Sequence, residues 1–220
     1  MRIPETHRTV RPGPETYSTR KVALERRLLD GARGPLFILR PGAIHGVGSR
    51  HPREWWFVKR PLDGRRHVPV AYQGGLGLHT SAAANIAGLV STVLPLNLTT
   101  VLNAVDPSPP TVREIGAYIA GHLGRDIDFV DLPHPHPKGM LGETPWSTAT
   151  PFITSDAAAR ALGYQPEATY QEAVAPFCDW LVAQAEEEEW RLRYPAMASY
   201  LNDPFNYAAE DDLLASLGRL

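Results

Sequence analysis

Apolar positions along the chain follow two rhythms. Tyr17, Lys21, Leu24 and Leu28 recur at helical spacing, so a helix is expected from near Thr16, ended by Gly31 or Gly34. Leu36–Leu39 is a short unbroken apolar run between Pro35 and Arg40-Pro41-Gly42, the pattern of a strand covered on both faces. A glycine-rich loop, Gly42 to Ser49, follows. Arg53–Leu62 reads as a short helix, His67–Tyr72 as a strand, Gly74-Gly75-Leu76-Gly77 as a turn, Ala82–Leu94 as a helix and Thr99–Val105 as a buried strand. Thr111-Val112-Arg113-Glu114 is a capping box; its helix buries Val112, Ile115, Ile119 and Leu123 and stops at Gly124. Asp126–Val130 is a fourth strand, His134–Thr150 a loop, and Ser155 the cap of a short helix ending at Gly163. A second capping box, Thr169 to Glu172, opens a helix that buries Val174, Phe177 and Leu181. Pro176 inside it predicts a kink or a late start. Four strands separated by helix-sized segments define an α/β layer architecture, and four is few for a complete doubly wound sheet. The chain divides into an N-terminal loop (1–15), a body (16–185) and a helical tail of one or two helices (186–220).

Composition narrows the class. With 220 residues, 43% hydrophobic and 21% charged, the chain has globular rather than disordered usage. Its net charge of −2 gives no electrostatic ground for binding nucleic acid or an anionic membrane. The single cysteine, Cys178, permits no internal disulfide, and Met1–Val10 lacks an apolar signal segment; both fit a cytoplasmic protein. The most apolar stretch, Ala82–Val105, is broken by Asn85, Ser91, Pro95 and Asn97 and does not suit a bilayer.

The candidate chemistry lies in Tyr17-Ser18-Thr19-Arg20-Lys21. Residues four apart on a helix share a face. A free phenol ionises near ~10 and is a poor acid or base at neutral pH. A fixed ammonium beside a phenol favours the phenolate and brings it toward useful proton transfer. Tyr and Lys four apart also occur by chance in many helices, where the pair is simply solvated.

The surroundings of the pair carry a resemblance. Tyr17 and Lys21 lead into Gly34-Pro35-Leu36-Phe37-Ile38-Leu39-Arg40-Pro41-Gly42-Ala43-Ile44-His45-Gly46. Leu102–Pro107 is followed by Thr111–Ile115, and Ser155-Asp156 runs on to Leu162-Gly163-Tyr164-Gln165-Pro166. This ordered series, from Tyr17 to about Leu181, resembles the extended short-chain dehydrogenase/reductase family, the NAD-dependent epimerase/dehydratase group. The resemblance implies a Rossmann-like fold, a partial doubly wound parallel sheet with a small C-terminal α/β substrate-binding region. It implies an epimerase, dehydratase or reductase that acts on a secondary alcohol or ketone, commonly a nucleotide-activated sugar, with NAD or NADP. Tyr17 would be the general acid/base. Lys21 would lower the tyrosine's pKa and hold the nicotinamide ribose, with Pro41, Gly42, Ala43 and Ile44 beside the nicotinamide. The loop from His45 to Arg50 and the segment from Tyr72 to His79 would line the substrate side. A homodimer through the Tyr17/Lys21 helix is implied by the same likeness.

The chain departs from the family pattern at several points. No G-x-x-G-x-x-G loop is present: Gly42, Gly46 and Gly48, like Gly74, Gly75 and Gly77, have the wrong spacing. The family's catalytic Ser or Thr lies upstream of Tyr17, and Thr6 and Thr9 do not replace it. His45 stands where the family has an aromatic residue, and Ser81-Ala82 where it has an acidic pair. Three expectations follow. Either the chain is a fragment of a longer gene product, the favoured account, or it is a half-enzyme that needs a partner; a third outcome is a catalytically silent chain. In each case the uncovered sheet edge predicts poor solubility or self-association.

Weaker signals have plainer readings. His134-Pro135-His136 suits a surface loop better than a metal site. Trp55, Trp56 and Phe57 suit a core better than a stacking platform. His45 and His79 are more often structural than substrate-binding in such positions. Glu186–Glu189 reads as a solvated helix face, and Cys178 as an inert core residue.

Overall fold

The computed structural model describes residues 2–137, 140–187, 189–199 and 203–219. It is a mixed α/β fold whose described strands all pair in parallel. In chain order the elements are α1 (Tyr17–Gly31), β1 (Leu36–Pro41), β2 (Ala43–His45), α2 (Trp55–Leu62), β3 (His67–Val70), β4 (Thr80–Ala82), α3 (Ala83–Val93), β5 (Thr99–Ala104), α4 (Val112–His122), β6 (Asp128–Asp131), α5 (Ala157–Ala161), α6 (Tyr170–Glu187), α7 (Trp190–Arg193), α8 (Pro195–Ala198) and α9 (Tyr207–Ser216). The strands form three separate pairs, β1–β5, β2–β4 and β3–β6, rather than one continuous sheet. Leu36 stands opposite Thr99 and Pro41 opposite Ala104. The other edge of β1 is unpaired among the described residues.

Helix starts follow their local signals. Thr16 caps α1, its hydroxyl accepting from Thr19 N–H at 3.2 Å. Thr111 Oγ1 accepts from Glu114 N–H at 3.1 Å while the Glu114 carboxylate accepts from Thr111 N–H at 2.7 Å. Thr169 and Glu172 make the same exchange at 3.3 and 2.8 Å. Gly124, at φ +62°, ends α4 in the left-handed region that glycine enters without steric cost. Asp156, not Ser155, is the N-cap of α5, although Ser155 Oγ still accepts from Ala157 N–H at 3.3 Å. Of the kink or late start expected of α6, the late start does not occur: the helix begins at Tyr170 and runs through Pro176. The tail holds three described helices, α7 to α9, where one or two were expected.

The main core gathers α2, α4 and α6. Trp55, Trp56, Phe57 and Val58 are all at or below 2% exposure, so the aromatic run is packing and not a stacking platform. Phe57 stacks on Trp146 at 5.9 Å and meets Phe129 edge-on. Arg60 crosses the Trp56 face at 3.3 Å and pairs with buried Glu210 at 2.6 Å, which fixes α9 against α2. A second cluster, Leu89, Leu102, Ala159 and Tyr164, joins α3, β5 and α5.

α1 is different: it has no buried residue, and Leu24 and Leu28 are 50% and 44% exposed. It is tied to β1 by a bidentate pair in which the Arg40 guanidinium grips Glu25, Nε to Oε2 at 2.9 Å and Nη2 to Oε1. Among the described residues no helix is long and apolar enough to cross a membrane.

Candidate active site

Because α1 stands off the strand, a groove of about 810 Å³ opens between them. Tyr17 and Lys21 line it from the helix side. Lys21 Nζ lies 5.3 Å from the Tyr17 ring centroid, within reach of the negative face of the ring. Both side chains are exposed, Tyr17 at 69%. The floor is Ile38, Leu39, Pro41, Gly42 and Ile44, and Ser49, Arg50, His51 and Arg53 close the far side. Gly42 is required there: a Cβ at this position would sit 2.1 Å from the His79 carbonyl oxygen. That close approach lets Gly42 N–H donate to Ser81 Oγ at 2.8 Å and Ala43 N–H to His79 O at 2.7 Å, which starts the β2–β4 pair.

Six of the residues singled out in the sequence meet in this groove: Tyr17, Lys21, Pro41, Gly42, Ile44 and Arg50. The other four do not. Ala43 and His45 alternate with Ile44 along β2 and are buried, at 5% and 1%. His79 is also 1% exposed. Tyr72 lies outside the groove, in a left-handed turn with Gln73 (φ 53° and 56°), its ring 6.0 Å from that of His134.

His45 and His79 belong instead to a buried network around Asp106, to which the sequence assigned no role. The Asp106 carboxylate contacts His45 Nε2 at 3.0 Å and accepts from Ala82 N–H at 2.7 Å and from the Asn85 amide at 2.8 Å. His79 Nε2 lies 3.0 Å from the Asp106 carbonyl oxygen. Burial pushes the Asp106 carboxyl up, but the bonds from His45 and Ala82 outweigh it and hold the group below its ordinary 3.8. Burial holds His79 below its ordinary 6.5.

The segment that closes the groove is anchored at both ends by this interior. His45 precedes it. Glu54 follows it, 1% exposed, and accepts from the Tyr170 hydroxyl at 3.3 Å, while the Tyr170 ring packs 4.7 Å from that of His45. Burial raises the Glu54 carboxyl above its ordinary 4.5. A raised carboxyl favours folding below 4.5, and that contribution is lost as pH rises through the folded value. Glu54→Gln keeps an oxygen acceptor for Tyr170. Its melting temperature relative to the parent is therefore expected to rise between pH 4 and pH 8; a constant offset over that range contradicts the assignment.

The remaining candidates are structural. Cys178 is buried, and burial pushes its thiol up to about 12. Among the described residues no cluster of three or more His, Cys, Asp or Glu is placed to hold a metal. Part of the Glu186–Glu189 run lies outside the described residues; Glu189 caps α7, accepting from Arg191 N–H at 2.9 Å.

The groove and the parallel strand pairs define an α/β protein of Rossmann-like class, and comparison with solved structures agrees. The chain is similar to a UDP-glucose 4-epimerase from Stenotrophomonas maltophila solved with NAD and a formylated UDP-arabinopyranose, at 15% identity and TM-score 0.63, over 84% of this chain and 60% of that one. It is similar to a dTDP-glucose 4,6-dehydratase from Streptomyces venezuelae with NAD bound, at 18% identity and TM-score 0.61, over 86% and 57%. A Thermus thermophilus UDP-glucose 4-epimerase in complex with NAD matches at 19% identity and TM-score 0.57, over 82% and 60%. The chain thus has the fold of these structures over about three-fifths of their length. No protein-family model and no curated protein matches it.

Proposed function

We propose that the chain is the proton-transfer and substrate-binding part of a nicotinamide-dependent epimerase, dehydratase or reductase that acts on a secondary alcohol or ketone. The observation that carries this reading is the Tyr17/Lys21 pair facing an apolar floor of Pro41, Gly42 and Ile44 across a groove of about 810 Å³, a volume within the usual range for ligand sites. In this reading Tyr17 gives or takes the hydroxyl proton of the substrate. Lys21, whose ammonium lies 5.3 Å from the Tyr17 ring centroid, holds ribose hydroxyls. Pro41, Gly42 and Ile44 offer a flat apolar bed for the nicotinamide of NAD or NADP, which when bound exchanges hydride with the substrate.

The residues fit the nicotinamide end of that cofactor and not its pyrophosphate. Among the described residues no glycine follows a strand and opens a helix in the phosphate-cradling pattern. The reading therefore includes a dinucleotide-binding unit that completes the free edge of β1. Nucleotide sugars, the substrates named for the neighbouring structures, are one candidate substrate class. The exposed Leu24 and Leu28 support a homodimer through α1, and a cytoplasmic location fits the lone buried thiol.

The missing phosphate loop favours a second reading, a chain that is catalytically silent on its own. Calorimetry with NAD and NADP, on the chain alone and assembled with a dinucleotide-binding unit, followed by turnover of the assembly separates the two: binding and turnover that depend on Tyr17 support the first, and an assembly that binds without Tyr17-dependent turnover supports the second.

A further inference from the structure

A second cavity, of about 250 Å³, is bounded by His51, Arg53, Leu78, Pro145, Ala196 and Met197. His51 and Arg53 also line the Tyr17 groove, so the two spaces share a cationic wall. We propose that this cavity binds the carboxylate and short aliphatic body of a compact organic acid, and that α8 of the tail is the wall that selects it.

The charge argument begins with how five of the other arginines are used. Arg40, Arg60, Arg65, Arg113 and Arg160 each pair with a carboxylate: Glu25, Glu210, Asp211, Asp131 and Asp156. Arg53 forms no ion pair or side-chain hydrogen bond among the described residues, and its charge acts on the buried carboxyl of Glu54. Among the described residues no carboxylate lines the cavity. A half-buried guanidinium with its fork unfilled is suited to a planar carboxylate, which it can hold through two parallel bonds. The His51 imidazole, beside it, offers a further donor.

The apolar argument concerns the opposite wall. Leu78, Pro145 and Met197 present no charge, and Met197 is 6% exposed. A methionine wall adapts to an aliphatic chain and offers nothing to a hydroxyl-rich sugar. Size points the same way. At a water's share of roughly 30 Å³ the cavity holds about eight non-hydrogen atoms, the size of a six-carbon acid. A nucleoside diphosphate is several times larger.

The proposal rests on the functional reading above only in treating the acid as the substrate; the binding itself is independent of it. The test uses the full chain with hexanoate, hexanol, inorganic phosphate and UDP as probes, followed by calorimetry and by the ¹³C-methyl resonance of Met197. Hexanoate is expected to bind and to shift the Met197 methyl, at least tenfold more tightly than hexanol, while phosphate and UDP leave that methyl unmoved. Arg53→Gln is expected to weaken hexanoate at least tenfold and Arg53→Lys to recover part of the loss, which a folding defect would not allow. Met197→Trp, which fills the cavity, is expected to abolish binding, and Tyr17→Phe to leave it unchanged. Equal affinity for hexanol and hexanoate, binding that leaves the Met197 methyl in place, displacement of hexanoate by UDP, or no hexanoate binding at millimolar concentration each overturns the proposal. Loss of nicotinamide binding with hexanoate binding intact counts against the functional reading alone, and the reverse pattern against this proposal alone.

Discussion

Asp106→Ala is expected to lower the stability of the chain by several kcal/mol, about 1–3 kcal/mol for each buried partner left without its acceptor. Three buried groups lose their acceptor at once: the His45 imidazole, the Ala82 N–H and the Asn85 amide. Each carries its own desolvation penalty when left unsatisfied. A domain of this size has a total of roughly 5–15 kcal/mol, so a third or more of it is at stake. Asn85 also links the network to the backbone of Glu167 and Ala168, so the damage reaches the start of α6. Urea unfolding measures the loss, and a shift below about 1 kcal/mol contradicts the role given to Asp106. The pH dependence has a definite sign. Asp106 is held below its ordinary 3.8, so its contribution is present above that value and disappears as pH falls through the lower, folded value. The gap between parent and variant therefore narrows in acid. His79 is also held down; its contribution is present above 6.5 and is lost as pH falls.

Tyr17→Phe is expected to have the opposite profile, a large loss of activity with no loss of stability. The ring is 69% exposed, and its hydroxyl makes no hydrogen bond among the described residues, so nothing in the interior notices its removal. General acid/base catalysis by a placed side chain is worth roughly 10²- to 10⁴-fold, and turnover of a ketone by the chain assembled with a dinucleotide-binding unit should fall by about that factor. Unchanged turnover removes Tyr17 from the chemistry. A fall in melting temperature of the size expected for Asp106→Ala shows that the ring is a packing residue instead.

The parts of the fold that were legible from sequence are those whose cause is local. The boxes at Thr111/Glu114 and Thr169/Glu172 close within four residues, and the helices begin where those residues stand. The apolar run at Leu36 announced β1, although the strand is half-buried rather than covered on both faces. β2 and β4 were not legible. Each has three residues, too few for an alternating pattern, and they form because Gly42 lets two distant backbones approach. The same shortness hid the true direction of His45: on a three-residue strand the sequence does not say which face is inside. The Tyr17/Lys21 pair was legible because four residues along a helix fix a common face. Arg53 and Met197, 144 positions apart, come together only through the tertiary fold, and no local pattern joins them.

The central claim is that a nicotinamide rests between Tyr17 and the Pro41–Ile44 floor. Intermolecular nuclear Overhauser effects from the nicotinamide protons of NAD to the Ile44 methyl and the Tyr17 ring measure that placement directly. The account predicts cross-peaks to both side chains. NAD that binds with contacts to neither, or a chain that binds neither NAD nor NADP at millimolar concentration, contradicts it.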